Sequence, residues 1–140
     1  MIDPVETVVT YLRGTEIGDT VEDRLVAGRA RFGSEWTIGQ KAINLLPMGG
    51  PTELYVPLRN VRIASQSWGA TEHDSYSTYL ALMDQAARVN RQRVVLNDGQ
   101  AALLHALLEV SAGTLLWDDE VGCWTTVAYL MAIVGEHPTT

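Results

Sequence analysis

The spacing of apolar residues changes period several times along this 140-residue chain, and each change marks a predicted element. Val5, Val8, Val9 and Leu12 fall at i, i+3, i+4 and i+7, the stripe of an amphipathic helix. Asp3 stands where a cap belongs, Pro4 where its missing N–H costs nothing, and Glu6 in the capping-box position. Gly14 closes that helix. Between residues 15 and 40 the pattern thins. Val21, Leu25 and Val26 fit a short helical turn or a strand equally well. Gly28, Gly33 and Gly39 break the stretch around Arg29, Arg31 and Trp36, so 28–39 reads as a long loop. Ala42 to Leu46 reads as a strand, closed by the turn cluster Pro47-Met-Gly-Gly-Pro51.

Leu54 to Trp68 is a long strand candidate with a flaw. Leu54, Val56 and Leu58 alternate on one phase, Val61 and Ile63 on the other. That shift predicts a bulge or break near Asn60, and Pro57 predicts an exposed edge at that end. A second helix follows, capped by Thr71, with Glu72 and Asp74 at its positive end and Arg88, Arg91 and Arg93 at the other. Its predicted apolar face is Tyr76, Tyr79, Leu80, Met83, Ala86 and Ala87. Val94–Leu96 is a short extended piece that ends in the turn Asn97-Asp-Gly99. Residues 103–110 satisfy both periods: Leu103, Leu104, Leu107 and Leu108 fit a helix, whereas Ala102, Leu104, Ala106, Leu108 and Val110 fit a strand. After them come Leu115–Trp117, a tight connection at Asp118–Gly122, and a long strand over Trp124–Val134.

Composition narrows the class. The chain is 46% hydrophobic and 19% charged, the balance of a single globular domain over 1–140. No apolar run reaches the roughly 18 residues that span a bilayer, and the start Met-Ile-Asp-Pro-Val-Glu has no basic n-region, so neither a membrane span nor a signal peptide is expected. A lone cysteine fits a reducing compartment, the cytoplasm. The formal charge of −7 is unevenly spread. Residues 1–23 hold six acids against Arg13, 24–93 hold nine basic residues against five acids, and 94–140 hold six acids with no Lys or Arg. If these segments occupy different faces, the molecule is polarised in a way that favours oriented stacking. The basic residues are too few and too scattered for sequence-specific nucleic-acid binding.

Candidate chemistry is thin. Nothing around Cys123 would lower a thiol pKa, so it reads as a small apolar strand residue rather than a nucleophile paired with His105 or His73. Asp118-Asp119-Glu120 lacks the flanking Gly and distal Glu of a calcium loop and reads as a solvated turn or a contact surface. Glu72-His73-Asp74 point in different directions on a helix and serve its dipole. There is no phosphate loop, paired-Cys motif or nucleophile elbow. No catalytic residue, cofactor or metal ligand is therefore assigned. Trp36, Trp68, Trp117 and Trp124 each sit beside a predicted turn or strand end; core packing accounts for each of them, and interface anchoring is the alternative for one or two.

The order helix, loop, strand, long strand, helix, strand, acidic hairpin resembles the tail terminator family of long-tailed bacteriophages. Val61-Arg-Ile63 to Trp68-Gly-Ala-Thr71, entering the Tyr-rich second helix, is similar to that family's strand and cross-sheet helix. Leu104-His105, Glu109-Val-Ser-Ala-Gly113, the acidic turn at Asp118–Gly122 with Trp124, and Tyr129 resemble the closing block of its actinophage-like members. Asp3-Pro-Val-Glu6 with Tyr11-Leu12 also fits, while 28–53 matches only loosely. Ala112 and Leu115-Leu116 depart from the pattern, since relatives often carry Gly, Pro or polar residues there.

The resemblance implies an α+β subunit, a mainly antiparallel sheet with two principal helices packed against it, forming a hexameric ring. It implies a strand for 103–110. It also implies a structural virion protein, made in the host bacterial cytoplasm, that caps the completed tail tube and meets the head–tail connector or stopper protein. DNA would pass through the acidic lumen without specific binding. The candidate assembly contacts are Trp36, Trp117, Asp118, Asp119, Glu120 and Trp124. The rivals are another neck protein (head-completion or stopper) and, from a different class, a small α+β enzyme or ligand-binding domain with its site between the second helix and the sheet.

Overall fold

A computed structural model of the chain describes residues 3–21, 24–27, 40–48, 58–97, 99–119 and 122–136. Helix α1 (Pro4–Arg13) begins as its sequence dictates: Asp3 Oδ1 accepts from the backbone N–H of Val5 at 3.0 Å and of Glu6 at 3.2 Å. Val8, Val9 and Leu12 are fully buried along its stripe, and Gly14 is the C-cap. Both readings of the next stretch are realised in succession, as helix α2 (Glu16–Val21) and then strand β1 (Leu25–Ala27). Strand β2 (Ala42–Pro47) follows the expected span. The predicted loop at 28–39, the Gly49-Gly50-Pro51 turn and the 54–57 start of the long strand lie outside the described residues.

The remaining elements are β3 (Leu58–Gly69), α3 (Glu72–Ala87), β4 (Gln92–Val95), β5 (Ala101–Asp118) and β6 (Cys123–Glu136). The six strands form one sheet in the order β1-β2-β3-β6-β5-β4, in which β1 runs parallel to β2 and every other neighbour is antiparallel. This is the α+β, mainly antiparallel architecture expected from the sequence, in one domain. One sheet face carries the helices. Ile43, Leu45, Ile63, Leu104 and Leu130, each fully buried, meet Val8, Val9, Leu12 and Leu82 in a single core. The opposite face has a small buried corner of Ala42, Trp68 and Cys123. Cys123 is thus a small, buried strand residue.

Two expectations are corrected. No bulge occurs near Asn60: β3 pairs with β6 residue for residue from Leu58↔Gly135 to Gly69↔Trp124. The inward phase of Val61 and Ile63 continues through the buried Ser65 and Ser67, whose hydroxyls hid the alternation. Ser65 Oγ donates to the Ala128 carbonyl at 3.3 Å, so its polarity is satisfied inside the sheet.

The face of α3 also differs. Thr71 Oγ1 accepts from the Asp74 N–H at 3.1 Å, as its capping role requires. Tyr79, Met83 and Ala86 are buried as predicted, but Tyr76, Leu80 and Ala87 face solvent, and Ser75, Thr78, Leu82 and Gln85 are buried instead. The reason is closeness at the start of the helix. Ser75 Oγ donates to the Ser67 carbonyl at 2.7 Å and lies 2.9 Å from Thr126 Oγ1, while Thr78 Oγ1 donates to the Asp74 carbonyl at 2.7 Å. Small hydroxyls that meet their hydrogen bonds let the helix sit lower on the sheet than Tyr or Leu would allow.

Candidate assembly surface on the closing hairpin

The two strands of the closing hairpin are treated very differently by the fold. β6 lies between β3 and β5, and its Cys123, Thr125, Thr126, Ala128, Leu130 and Ala132 are buried. β5 is an 18-residue strand next to a four-residue β4, which pairs only with Ala101–Leu104. The Arg91 N–H adds one bond to the His105 carbonyl at 3.2 Å. From Ala106 to Asp118, no strand among the described residues runs along the outer edge of β5. Three register shifts against β6, at Leu104/Ala106, Glu109/Ser111 and Ser111/Thr114, bend this stretch.

The exposed part is apolar. Leu108, Val110, Leu116 and Trp117 on β5 and Tyr129 on β6 are each 41–53% exposed. Pairing places Leu108 beside Met131, Ser111 beside Tyr129 and Leu116 beside Thr125, on the sheet face away from the helices. Met48, Arg62, Val110, Ser111, Tyr129 and Leu130 line a shallow groove of about 290 Å³ on that face. Scattered exposed hydrophobics are ordinary, but a cluster on one hairpin is the usual mark of an interaction site.

On the helix side, α3 holds β5 through one phenol. Tyr79 Oη donates to Glu109 Oε1 at 2.6 Å and accepts from the Gly113 N–H at 3.0 Å. Gly113 permits this, because a Cβ there would lie 2.8 Å from both Tyr79 Cζ and Thr126 Cγ2. Burial, then the hydrogen bond to Glu109, raises the Tyr79 phenol above its ordinary 10.0. A pKa raised on folding favours the neutral phenol, so the contribution is complete below the unfolded value and is lost as pH rises through the folded one. Stability is therefore expected to fall as pH climbs past about 10, and Tyr79→Phe is expected to flatten that alkaline loss in denaturation measured across pH. An unchanged alkaline slope in the variant would show that Tyr79 is not the group responsible.

The structure brings four of the candidate contacts together at the hairpin tip. Trp117 and Trp124 are directly paired across the strands, ring centroids 5.4 Å apart and inclined at 69°, the edge-on geometry aromatic pairs favour. Trp117 is 49% exposed and Trp124 half-buried. Asp118 and Asp119 follow, and the Gly122 N–H closes the turn on the Asp118 carbonyl at 2.8 Å. Trp36 and Glu120 lie outside the described residues. The sequence reading missed Leu108, Val110, Leu116 and Tyr129 as surface residues. The available signal was the mismatch between a long apolar run and the short Val94–Leu96 piece that had to cover it.

Among the described residues no group of three His, Cys, Asp or Glu side chains is arranged to hold a metal ion. Glu72 and His73 are exposed in the first turn of α3. The interval between α3 and the sheet is filled by Ser75, Thr78, Tyr79 and Leu82. No helix among the described residues is long and apolar enough to cross a membrane. A scan against protein-family models finds no match, and neither does a search of curated proteins.

Proposed function

We propose that this chain is a structural subunit of a bacteriophage tail: a tail terminator that closes into a hexameric ring, caps the finished tail tube and offers the surface that joins the tail to the head connector. One observation carries the reading. The closing hairpin gathers Leu108, Val110, Leu116, Trp117 and Tyr129, five of the nine exposed large hydrophobic residues among the described ones. Such a surface is stabilised when a neighbouring protein of the tail or neck covers it, as the surface that joins tail to connector must be covered in the finished particle. The uneven charge along the chain supports the same reading, because the acidic tip at Asp118 and Asp119 belongs to a segment without Lys or Arg, and an acidic lumen would let DNA pass without adhering.

Sedimentation and negative-stain imaging over a concentration series test it directly. A closed six-subunit ring is expected, and disruption of the gene in its phage is expected to leave heads and tails unjoined. Normal joined particles from the disrupted phage would overturn the role, whatever the oligomeric state of the purified protein.

A further inference from the structure

Long, exposed, apolar strand edges are rare in folded proteins because they template pairing with other chains. The usual protections are Lys or Pro on the edge, a very short edge strand, or a covering element. From Ala106 to Trp117 β5 has no Lys, no Pro and, among the described residues, no cover. Among the described residues its bulges and the single charge of Glu109 are the protective devices present. The bulges divide the edge into two runs in regular register with β6, Ala106–Glu109 and Thr114–Asp118. Exposed apolar side chains accompany both runs: Leu108 on the first, Leu116 and Trp117 on the second, with Val110 between.

The chemistry of the occupant follows from length and charge. The opposite edge of the sheet, β1, is three residues long, too short to match either run along its whole length. A second β5 would bring another set of Glu109, Asp118 and Asp119 against the first, and no Lys or Arg follows Arg93 to offset them. Like charges set close together across a new strand pair are unfavourable, whereas opposite charges stabilise it. We propose that the outer edge of β5 between Ala106 and Trp117 takes up, by strand addition, an extended segment of a partner protein that alternates apolar residues and carries Lys or Arg. Backbone hydrogen bonds to the edge supply the pairing, and Leu108 and Leu116, both on the sheet face away from the helices, select alternate apolar side chains of the added strand. This assignment stands on the edge itself and does not require the ring.

The test uses the full chain and two labelled synthetic peptides, one alternating Val and Thr with Lys at both ends, the other with Glu in place of Lys. The lysine peptide is expected to bind, more weakly as salt rises, and to slow amide exchange along 106–117; the glutamate peptide is expected to bind at least about tenfold less tightly. The double variant L108K/L116K, at positions 52% and 48% exposed, is expected to keep its fold and lose binding, as is the single variant V110K at a position 53% exposed. Failure of the lysine peptide to bind, equal binding of both peptides, or binding without slowed exchange on β5 each overturns the proposal. A wild-type dimer that L108K/L116K dissolves assigns the edge to a second copy and overturns the choice of partner.

Discussion

Truncating Leu130 to alanine is expected to cost the fold about 3 kcal/mol and to lower the melting temperature by about 10 °C. Leu130 is fully buried in β6, a central strand of the sheet, paired with Ile63 on one side and Glu109 on the other. It belongs to the same core as Leu12 and Leu82, so the cavity would open where both helices meet the sheet. The contrast is Leu116→Ala on the neighbouring strand. Leu116 is 48% exposed, and its truncation should change stability by no more than about 0.5 kcal/mol. Thermal denaturation of the two variants compares two leucines of similar sequence surroundings and opposite burial. If Leu130→Ala melted with the wild type, β6 would not be the core strand described here.

That contrast also locates what was legible in the sequence. Local chemistry fixed the helix starts: Asp3 and Thr71 cap as their side chains and positions predict, because capping depends on residues only two or three apart. The strands expected at Ala42–Leu46 and Trp124–Val134 were equally readable from alternation and turn residues, while the piece expected at Val94–Leu96 starts two residues earlier, as Gln92–Val95. What failed were inferences that depend on distant partners. The apolar spacing that placed Tyr76, Leu80 and Ala87 on the inner face of α3 took no account of Ser75 and Thr78, which are buried there together with Ser65 and Ser67 of β3. The 103–110 run fitted two periods because it is a strand with a bulge after Leu104, and a bulge breaks strict alternation. Nor does a single chain pattern say which of two adjacent apolar strands becomes central. That depends on β3 pairing with β6 across more than fifty residues of sequence, and it decides why Leu130 is core and Leu116 surface. The Tyr79–Glu109–Gly113 contact was hidden for the same reason.

Gly69→Ala is expected to destabilise the protein by about 2–3 kcal/mol, close to the upper end for an added methyl group. Gly69 ends β3, and a Cβ there would stand 2.5 Å from the Ser75 nitrogen and 2.8 Å from the Asp74 carbonyl carbon. Both are backbone atoms in the first turn of α3, so relief requires moving the helix rather than a side chain. The helix resists, because the Thr71 cap, the Ser75 bond to the Ser67 carbonyl and the Ser75–Thr126 contact all fix that turn against the sheet. At Gly113 the atoms in the way are the Tyr79 ring and a Thr126 methyl, which can give way more easily. Gly69 is also paired with Trp124, so lifting the helix start would act next to the tryptophan pair at the hairpin tip. Carried along α3, the same shift would draw Tyr79 away from Glu109 and Gly113. Chemical denaturation reads the loss of stability, and hydrogen exchange at the Gly113 amide reads the loss of the Tyr79 contact. Full stability with a protected Gly113 amide in Gly69→Ala would show that α3 is not seated on β3 as closely as the structure places it.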